Sequence, residues 1–212
     1  QDIGFNVFSE LDTVSLLAFA GVGDAFVKVW YSQTGSNDAT QTNTAKQPQI
    51  VSSGAVILEN GKPAMQMQGK YLSTNVSLSQ PHSDFVVAKC SSTTNFEFLY
   101  DTNGGTRTAT FSFSNGRPAI HAGTSVVGAN TFTRNQHLFT ALYDTTSTLY
   151  IDDVSVVSGN AGTNGLTAMT IGRINDAIAG TVQEYVFWGT NEETEGNRAG
   201  IQDNINLFYS IY

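Results

Sequence analysis

Apolar and polar residues alternate along several short segments in the last third of the chain. Leu149 and Ile151 alternate with polar neighbours in one of them, and Tyr185 and Phe187 do so near the end. A period of two residues places one face of a strand in a core and the other face in water. The pattern predicts four strands, over residues 138–143, 147–156, 166–172 and 180–188.

The rest of the chain predicts more short strands and a helix at each end. Turn sequences such as Asn60-Gly61 separate apolar segments upstream, which is typical of hairpins. Residues 12–21 predict a short helix, because Asp12 or Thr13 can accept hydrogen bonds from the free N–H groups of its first turn. Residues 192–212 carry apolar residues at helical spacing, which predicts a helix docked on the strands. We therefore expect an all-β, two-sheet antiparallel sandwich with both helices, formed as a single domain over residues 1–212.

Composition excludes two classes of partner. Charged residues make up 13% of the 212 residues and the net charge is −8, so no basic surface is available for nucleic acid. Apolar runs are far shorter than the roughly 18 residues of a membrane helix, so no membrane insertion is expected. Cys90 is the single cysteine, which rules out an internal disulfide, and we expect it to be a buried structural thiol.

Five segments of the chain carry landmarks of a known family: residues 11–19, 26–41, 47–54, 60–64 and 197–212. Together with the strand end Leu-Tyr-Ile-Asp-Asp at 149–153, they resemble the laminin-G-like, concanavalin A-like jelly roll. The resemblance is to the type found in phage virion proteins of tail fibres and appendages, and it covers nearly the whole chain. The same landmarks are distantly similar to the catalytic sandwich of arabinofuranosidase B.

The resemblance implies a non-catalytic virion structural or appendage protein, such as a capsid decoration, fibre or adhesion component. Such a protein acts outside the cell, on the virion surface, through contacts with other virion subunits or with copies of itself. Two departures stand out. Ser32 occupies a position where relatives usually have Asp, and relatives carry an Arg-rich, strand-forming segment upstream of Asp2. We expect a homo-oligomer or a neighbouring chain that supplies the missing edge strand.

A carbohydrate-binding, lectin-like module is the first alternative, with a cell-surface polysaccharide as its partner. Such a site combines an aromatic side chain for the apolar face of a sugar with amide and carboxylate groups for its hydroxyls. Two regions have this composition. The candidate binding residues are Tyr31, Gln33, Asn37 and Asp38 in the first region, and Tyr100, Asp101 and Asn103 in the second.

A glycoside hydrolase of the arabinofuranosidase type is the second alternative. It requires two carboxyl groups that face each other across a cleft. The strand-borne candidates are Glu97, Asp144, Asp152, Asp153 and Glu184. The catalytic pair of that family cannot be assigned among them, so we expect no enzyme activity. Asp152 and Asp153 are also the candidate calcium ligands, and no other cofactor is expected.

Overall fold

The computed structural model describes residues 1–35, 37–91, 96–102, 107–112, 115–172 and 179–212. Within these ranges the chain forms two α-helices, one short 3-10 helix and 21 strands arranged mainly in two antiparallel sheets. The predicted all-β sandwich with a helix near each end is confirmed. No helix in the described ranges is long and apolar enough to cross a bilayer.

The larger sheet, which we call the back sheet, has nine strands in the order β1-β4-β8-β21-β11-β16-β17-β18, with β5 paired to β4. Its strands are β1 (Ala25–Phe26), β4 (Gln49–Ser52), β5 (Ala55–Val56), β8 (Met65–Gln66), β11 (His82–Lys89), β16 (Gln136–Tyr143), β17 (Ser147–Ile151), β18 (Val154–Gly159) and β21 (Thr181–Trp188).

The second sheet, which we call the front sheet, has eight strands in the order β15-β14-β13-β12-β20-β9-β3-β2. Its strands are β2 (Val29–Trp30), β3 (Ala39–Thr40), β9 (Leu72–Ser73), β12 (Glu97–Thr102), β13 (Ala109–Ser112), β14 (Pro118–His121), β15 (Ser125–Val127) and β20 (Met169–Ile171). Two small antiparallel pairs complete the strands: β6 (Leu58–Glu59) with β7 (Lys62–Pro63), and β10 (Ser77–Leu78) with β19 (Leu166–Thr167).

The main core lies between the two sheets and follows the alternation of the strands. On β11, Val86 and Ala88 point into this core, whereas Phe85 and Val87 point out of the back sheet. The predicted inward residues Leu149, Ile151, Tyr185 and Phe187 all belong to the core or pack against it. At roughly 1.5–3 kcal/mol for each large apolar side chain removed from water, this burial is the main stabilising term of the fold.

Helix α2 (Arg198–Tyr209) covers the outer surface of the back sheet, as the predicted docking helix should. It begins six residues later than the spacing predicted, because residues 192–197 form turns rather than helix. Phe208 is 42% exposed, whereas Tyr209, its neighbour, is buried against the sheet. The residues that join helix and sheet are Phe85, Val87, Leu138, Ile205 and Tyr209.

Helix α1 (Thr13–Ala20) forms as predicted. Asp12 is its N-cap, and its carboxylate accepts a hydrogen bond from the backbone N–H of Ser15 at 3.1 Å. Leu16 packs with Ala25 and Val51 at the β1 end of the back sheet. The helix is therefore attached to the sheet that α2 also covers.

Two predicted strands are divided in the structure, over residues 147–156 and 166–172. Residues 166–172 form β19 and β20, which belong to different sheets. Residues 147–156 form two strands joined by a hairpin, in which Asp152 (φ 51°) and Asp153 (φ 63°) are left-handed. A type I′ turn requires positive φ at both central positions, and Asp tolerates this conformation. Residues 25–31 contribute to both sheets, since β1 belongs to the back sheet and β2 to the front sheet.

A hydrogen-bonded network joins the two sheets within the core, and we call it the Asp84 network. The Tyr100 hydroxyl donates to Asp84 Oδ2 at 2.5 Å and lies 2.8 Å from Thr110 Oγ1. Thr110 Oγ1 is also 3.0 Å from the Tyr143 hydroxyl, and His82 Nδ1 donates to Asp84 Oδ1 at 3.0 Å. Asp84 and Tyr143 belong to the back sheet, and Tyr100 and Thr110 to the front sheet.

Cys90 is fully buried, as expected for a structural thiol. Burial raises the pKa of the thiol well above its ordinary value, and the charge of Glu97 raises it further. The thiolate, which is the reactive form, is therefore disfavoured.

Replacing Tyr100 with Phe should test the Asp84 network. The change removes the hydroxyl donor and leaves a fully buried carboxylate with one hydrogen bond fewer, which costs about 1–3 kcal/mol of unfolding free energy. Chemical denaturation measures the loss. Tyr150→Phe is the matched control, because Tyr150 is partly exposed, and it should change stability by less than about 0.5 kcal/mol. Equal effects of the two variants would contradict this role.

Replacing Glu184 with Gln should change how stability depends on pH. Burial under α2 raises the pKa of this carboxyl, although the hydroxyl of Tyr209 partly opposes the shift. The neutral form is favoured in the fold, so its contribution is complete below the ordinary pKa of 4.5 and is lost as pH rises through the raised value. The variant should therefore gain stability over the wild type between pH 4.5 and pH 8, measured by urea unfolding. Glu195→Gln, an exposed carboxyl, should show no such trend.

Candidate functional site

A single row of side chains crosses seven strands on the outer face of the front sheet. The strand register places these residues directly opposite one another, and all except one are polar. We call this set the polar row: Thr40, Ser73, Thr170, Asp101, Ala109, His121 and Ser125. Thr40, Ser73, His121 and Ser125 are at least partly exposed, whereas Thr170, Asp101 and Ala109 in the middle of the row are buried. The exposed hydroxyl and imidazole groups are chemistry that suits a polar ligand on this face.

A β-bulge decides which side chains of β12 belong to this face. Phe98 pairs with Phe111 and Tyr100 with the adjacent Thr110, so Leu99 is an extra residue between them. A bulge of this kind reverses the alternation of the side chains that follow it. Tyr100 therefore points into the core and is 0% exposed, whereas Asp101 joins the polar row. The predicted role of Tyr100 as a binding platform is corrected by this burial.

A second row of residues, which is apolar, runs beside the polar row on the same face. Phe98, Phe111, Ala119 and Val127 pack together there. The rings of Phe98 and Phe111 stack with centroids 4.7 Å apart, and Phe96 stacks on Phe98 at 6.4 Å. Phe96 is 37% exposed, so this stack ends in an aromatic surface at the edge of the row.

Arg107 lies where the two rows meet. Its Nε donates to Asp101 Oδ1 at 2.8 Å, and its guanidinium carbon lies 4.5 Å from the centre of the Phe98 ring. The side chain of Arg107 is 32% exposed. Its Nη2 atom is screened from water and has no hydrogen-bond partner among the described residues. The carboxylate and the ring together hold the guanidinium in one orientation on the face.

His121 and Ser125 continue the polar row beyond Arg107. His121 Nδ1 lies 3.0 Å from Ser125 Oγ, and both residues are at least partly exposed. Burial lowers the pKa of His121 below its ordinary value of 6.5, and the positive charge of Arg107 lowers it further. The negative charge of Asp101 acts in the opposite direction. The imidazole is therefore neutral at pH 7, so it offers hydrogen bonds and no charge.

The first predicted region lies at the far end of the front sheet, after the edge strand β2. Tyr31 is 47% exposed, and its hydroxyl donates to Asp2 Oδ1 at 2.7 Å. Gln33 Nε2 donates to the Tyr31 carbonyl at 3.3 Å, and Asp38 Oδ1 accepts from the backbone N–H of Ser32 at 2.8 Å. The backbone carbonyl of the exposed Asn37 accepts from Thr74 at 2.7 Å. These four residues form a polar loop surface with one exposed ring.

The two predicted regions do not meet. Four strand steps separate β2 from β12 in the front sheet, which is about 19 Å at about 4.8 Å for each step. The polar row runs between them, because Thr40 pairs with Val29 of β2 at one end and Asp101 lies in β12. Asn103, the remaining candidate of the second region, lies outside the described residues.

The predicted calcium ligands are engaged with other protein groups. Asp152 Oδ2 lies 2.5 Å from His137 Nδ1, and its other oxygen accepts from the N–H of Leu138 at 3.0 Å. Asp153 pairs with Arg198. In the part of the chain that the structure describes, no three His, Cys, Asp or Glu side chains are grouped so that they could hold a metal ion.

The carboxyl groups considered for glycoside hydrolysis lie at separate places in the fold. Glu97 accepts from the backbone N–H groups of Ser91 (3.1 Å) and Ala179 (2.8 Å) and is buried. Asp144 lies at one end of β17, the opposite end from Asp152 and Asp153. Glu184 lies under α2.

A cleft of about 350 Å³ lies away from the polar row, near the β16–β17 turn. It is lined by Ser79, Gln80, Pro81, Asp144, Thr145, Thr163 and Gly165. This set offers one carboxylate and no aromatic ring, so it does not have the composition of a sugar site.

Sequence reasoning missed Arg107, His121 and Ser125. Arg107 lies just before β13 and belongs to no recognisable sequence motif. His121 is one of three histidines that are scattered along the sequence. The available signal was the pairing of β12, β13 and β14 as consecutive hairpins, since consecutive antiparallel strands bring such residues side by side.

No protein-family model matches the chain, and no curated protein is similar to it at the sequence level. Solved structures match its fold. The Trypanosoma rangeli sialidase in complex with the inhibitor DANA superposes with a TM-score of 0.55 at 13% identity, over 79% of this chain and 29% of that one. The botulinum neurotoxin serotype D ligand binding domain in complex with N-acetylneuraminic acid gives 0.53 at 11% identity, over 92% and 52%.

The likeness is one of fold. This chain spans less than a third of the sialidase and about half of the toxin domain. The shared architecture agrees with the jelly-roll-like sandwich that the family resemblance implied. The phage subgroup within that resemblance stays a prediction.

Replacing Arg107 with Gln should raise the pKa of His121. Removing the cation takes away one of the two causes that lower this pKa, while burial remains. Titration of the histidine ring by NMR measures the shift. Arg117→Gln is the control, because the Arg117 guanidinium donates instead to the Gly128 carbonyl and should leave His121 unchanged. An unchanged His121 pKa in the Arg107 variant would contradict the proximity of the two groups.

Proposed function

We propose that this protein is a carbohydrate-binding, lectin-like module whose ligand lies on the front face, along the polar row. The partly exposed hydroxyl and imidazole groups of the row serve the hydroxyls of a sugar, and the Phe96 stack serves its apolar face. The Tyr31 loop, at the end of the same row, extends the surface for a longer chain.

The position of Arg107 is the observation that carries this proposal. An arginine held between a carboxylate and an aromatic stack presents a fixed set of donors beside a partly exposed ring. Combining a few oriented polar groups with an aromatic surface is typical of sites that bind small polar ligands. The fold supports the proposal, since the botulinum domain of similar architecture was solved with N-acetylneuraminic acid.

The protein is proposed to act without catalysis. The carboxyl groups that hydrolysis would require are divided among different elements and take part in structural hydrogen bonds. A place outside the cell, on a virion surface, remains part of the proposal through the family resemblance. An appendage protein would use glycan binding to recognise a host surface.

Assembly through a neighbouring chain also remains a proposal. Strand β1 is an edge of the back sheet, and apolar side chains near it are exposed: Phe19 (56%), Val22 (95%) and Phe26 (45%). An edge strand can pair with another chain through its free backbone groups. The oligomeric state in solution tests this possibility.

Replacing Phe96 with Ala should weaken glycan binding about tenfold, which corresponds to about 1.4 kcal/mol, because it removes the exposed end of the aromatic stack. A glycan array finds the ligand, and calorimetry compares the affinities. Phe19→Ala is the matched control, an exposed phenylalanine on α1, and should bind like the wild type.

Tyr31→Ala shows how far the ligand extends, since a loss of affinity would mean that the ligand reaches the far end of the row. The proposal fails if the array gives no hits, or if Phe96→Ala binds as tightly as the wild type.

A further inference from the structure

We infer that the ligand of the front face is an acidic sugar, and that Arg107 binds its carboxylate. The inference rests on the proposed carbohydrate-binding function and adds the chemical class of the ligand. It follows from the state of the Arg107 guanidinium, the chemistry of the side chains around it and the charge of the whole chain.

The Arg107 guanidinium is oriented before any ligand arrives. Asp101 fixes its Nε edge at 2.8 Å, and the Phe98 ring supports its flat face at 4.5 Å. The backbone at this position is also held, because Asn164 Nδ2 donates to the Arg107 carbonyl at 3.2 Å. A ligand that binds such a group does not have to order a long flexible side chain, which is otherwise a cost of binding.

One end of the guanidinium still lacks a partner. Arginine has five N–H donors, and Asp101 uses the one on Nε. Nη2 is screened from water and has no acceptor among the described residues, a state that costs free energy. The Arg107 side chain is nevertheless 32% exposed, and a ligand oxygen would approach the guanidinium at this exposed part.

A carboxylate suits the exposed part of the guanidinium better than a hydroxyl does. Its two oxygens match the planar fork of a guanidinium, and hydrogen bonds between two charged groups are about twice as strong as neutral ones. His121 and Ser125 lie along the same row and supply neutral hydrogen-bonding groups, which suit the hydroxyls of the same sugar. The partly exposed Phe96 ring, stacked on Phe98, receives an apolar edge.

The net charge of the whole chain allows binding at a specific site to be distinguished from unspecific electrostatic attraction. At a net charge of −8, the protein as a whole repels an anionic polymer. Binding of such a polymer therefore reports a local cationic site. Arg107 is the cation that the front face presents beside an aromatic stack.

The experiment compares carboxylated polymers with their neutral counterparts. Polygalacturonate represents hexuronic acids, and polysialic acid represents nonulosonic acids. The same two polymers after chemical reduction of their carboxyl groups are the matched neutral ligands, and dextran is a further neutral control. Calorimetry and affinity electrophoresis of the full chain should show binding to at least one carboxylated polymer, and at least tenfold weaker binding to its reduced form.

Substitutions of Arg107 then test whether this residue binds the carboxylate of the polymer. Arg107→Gln should lose at least tenfold in affinity for the carboxylated polymer, and Arg107→Lys should recover only part of it, because lysine keeps the charge and lacks the fork. Arg117→Gln should bind like the wild type. The double variant Asp101→Asn with Arg107→Gln removes the partner carboxylate together with the arginine. It should lose the same affinity and remain folded, which a cooperative thermal unfolding transition would show.

The outcomes separate this inference from the function on which it rests. Equal binding of native and reduced polymers, or full binding by the folded double variant, overturns the acidic-sugar inference and leaves carbohydrate binding in place. Absence of binding to every polymer and to a glycan array overturns both.

Discussion

The hydrogen bonds to the buried Asp84 carboxylate are the contacts on which the relative position of the two sheets depends. A carboxylate removed from water is tolerated in a protein interior only where donors replace its hydration shell. Tyr100 supplies such a donor from the opposite sheet, so the sheets must meet with these two residues aligned. A slip of one residue in β12 would withdraw that hydroxyl and turn Asp101 into the core. The interior network thus determines which side chains of β12 lie on the outer face of the front sheet.

Regular alternation made parts of this fold predictable from the sequence. Strands β16 and β21 were expected within two residues of their observed bounds, because their apolar and polar residues alternate with few interruptions. The hairpin at Asp152 and Asp153 was not expected. Its two aspartates adopt left-handed conformations, which Asp tolerates. Asp-Asp is not a typical turn sequence in the way that Asn-Gly is, so the pattern predicts one continuous strand.

The candidate site was predictable only in part, and the bulge in β12 explains why. Strict alternation from Phe98 places Tyr100 on the surface, but the extra residue Leu99 turns Tyr100 inward and Asp101 outward. Apolar and aromatic residues suit either face of a strand, so the run Phe-Leu-Tyr carries no sign of the bulge. Arg107 reaches this face from the segment before β13, and only the folded hairpin brings it onto the Phe98 ring.

The burial of Cys90 also has a practical consequence for chemical labelling. The chain has one cysteine, and its thiol is both inaccessible and poorly ionised. Maleimide reagents, which attack accessible thiolates, should leave the native protein unmodified. A cysteine introduced at Ser125, on the exposed edge of the front sheet, would then be the single reactive thiol. It would accept a fluorophore or spin label at the end of the polar row without removal of the native cysteine.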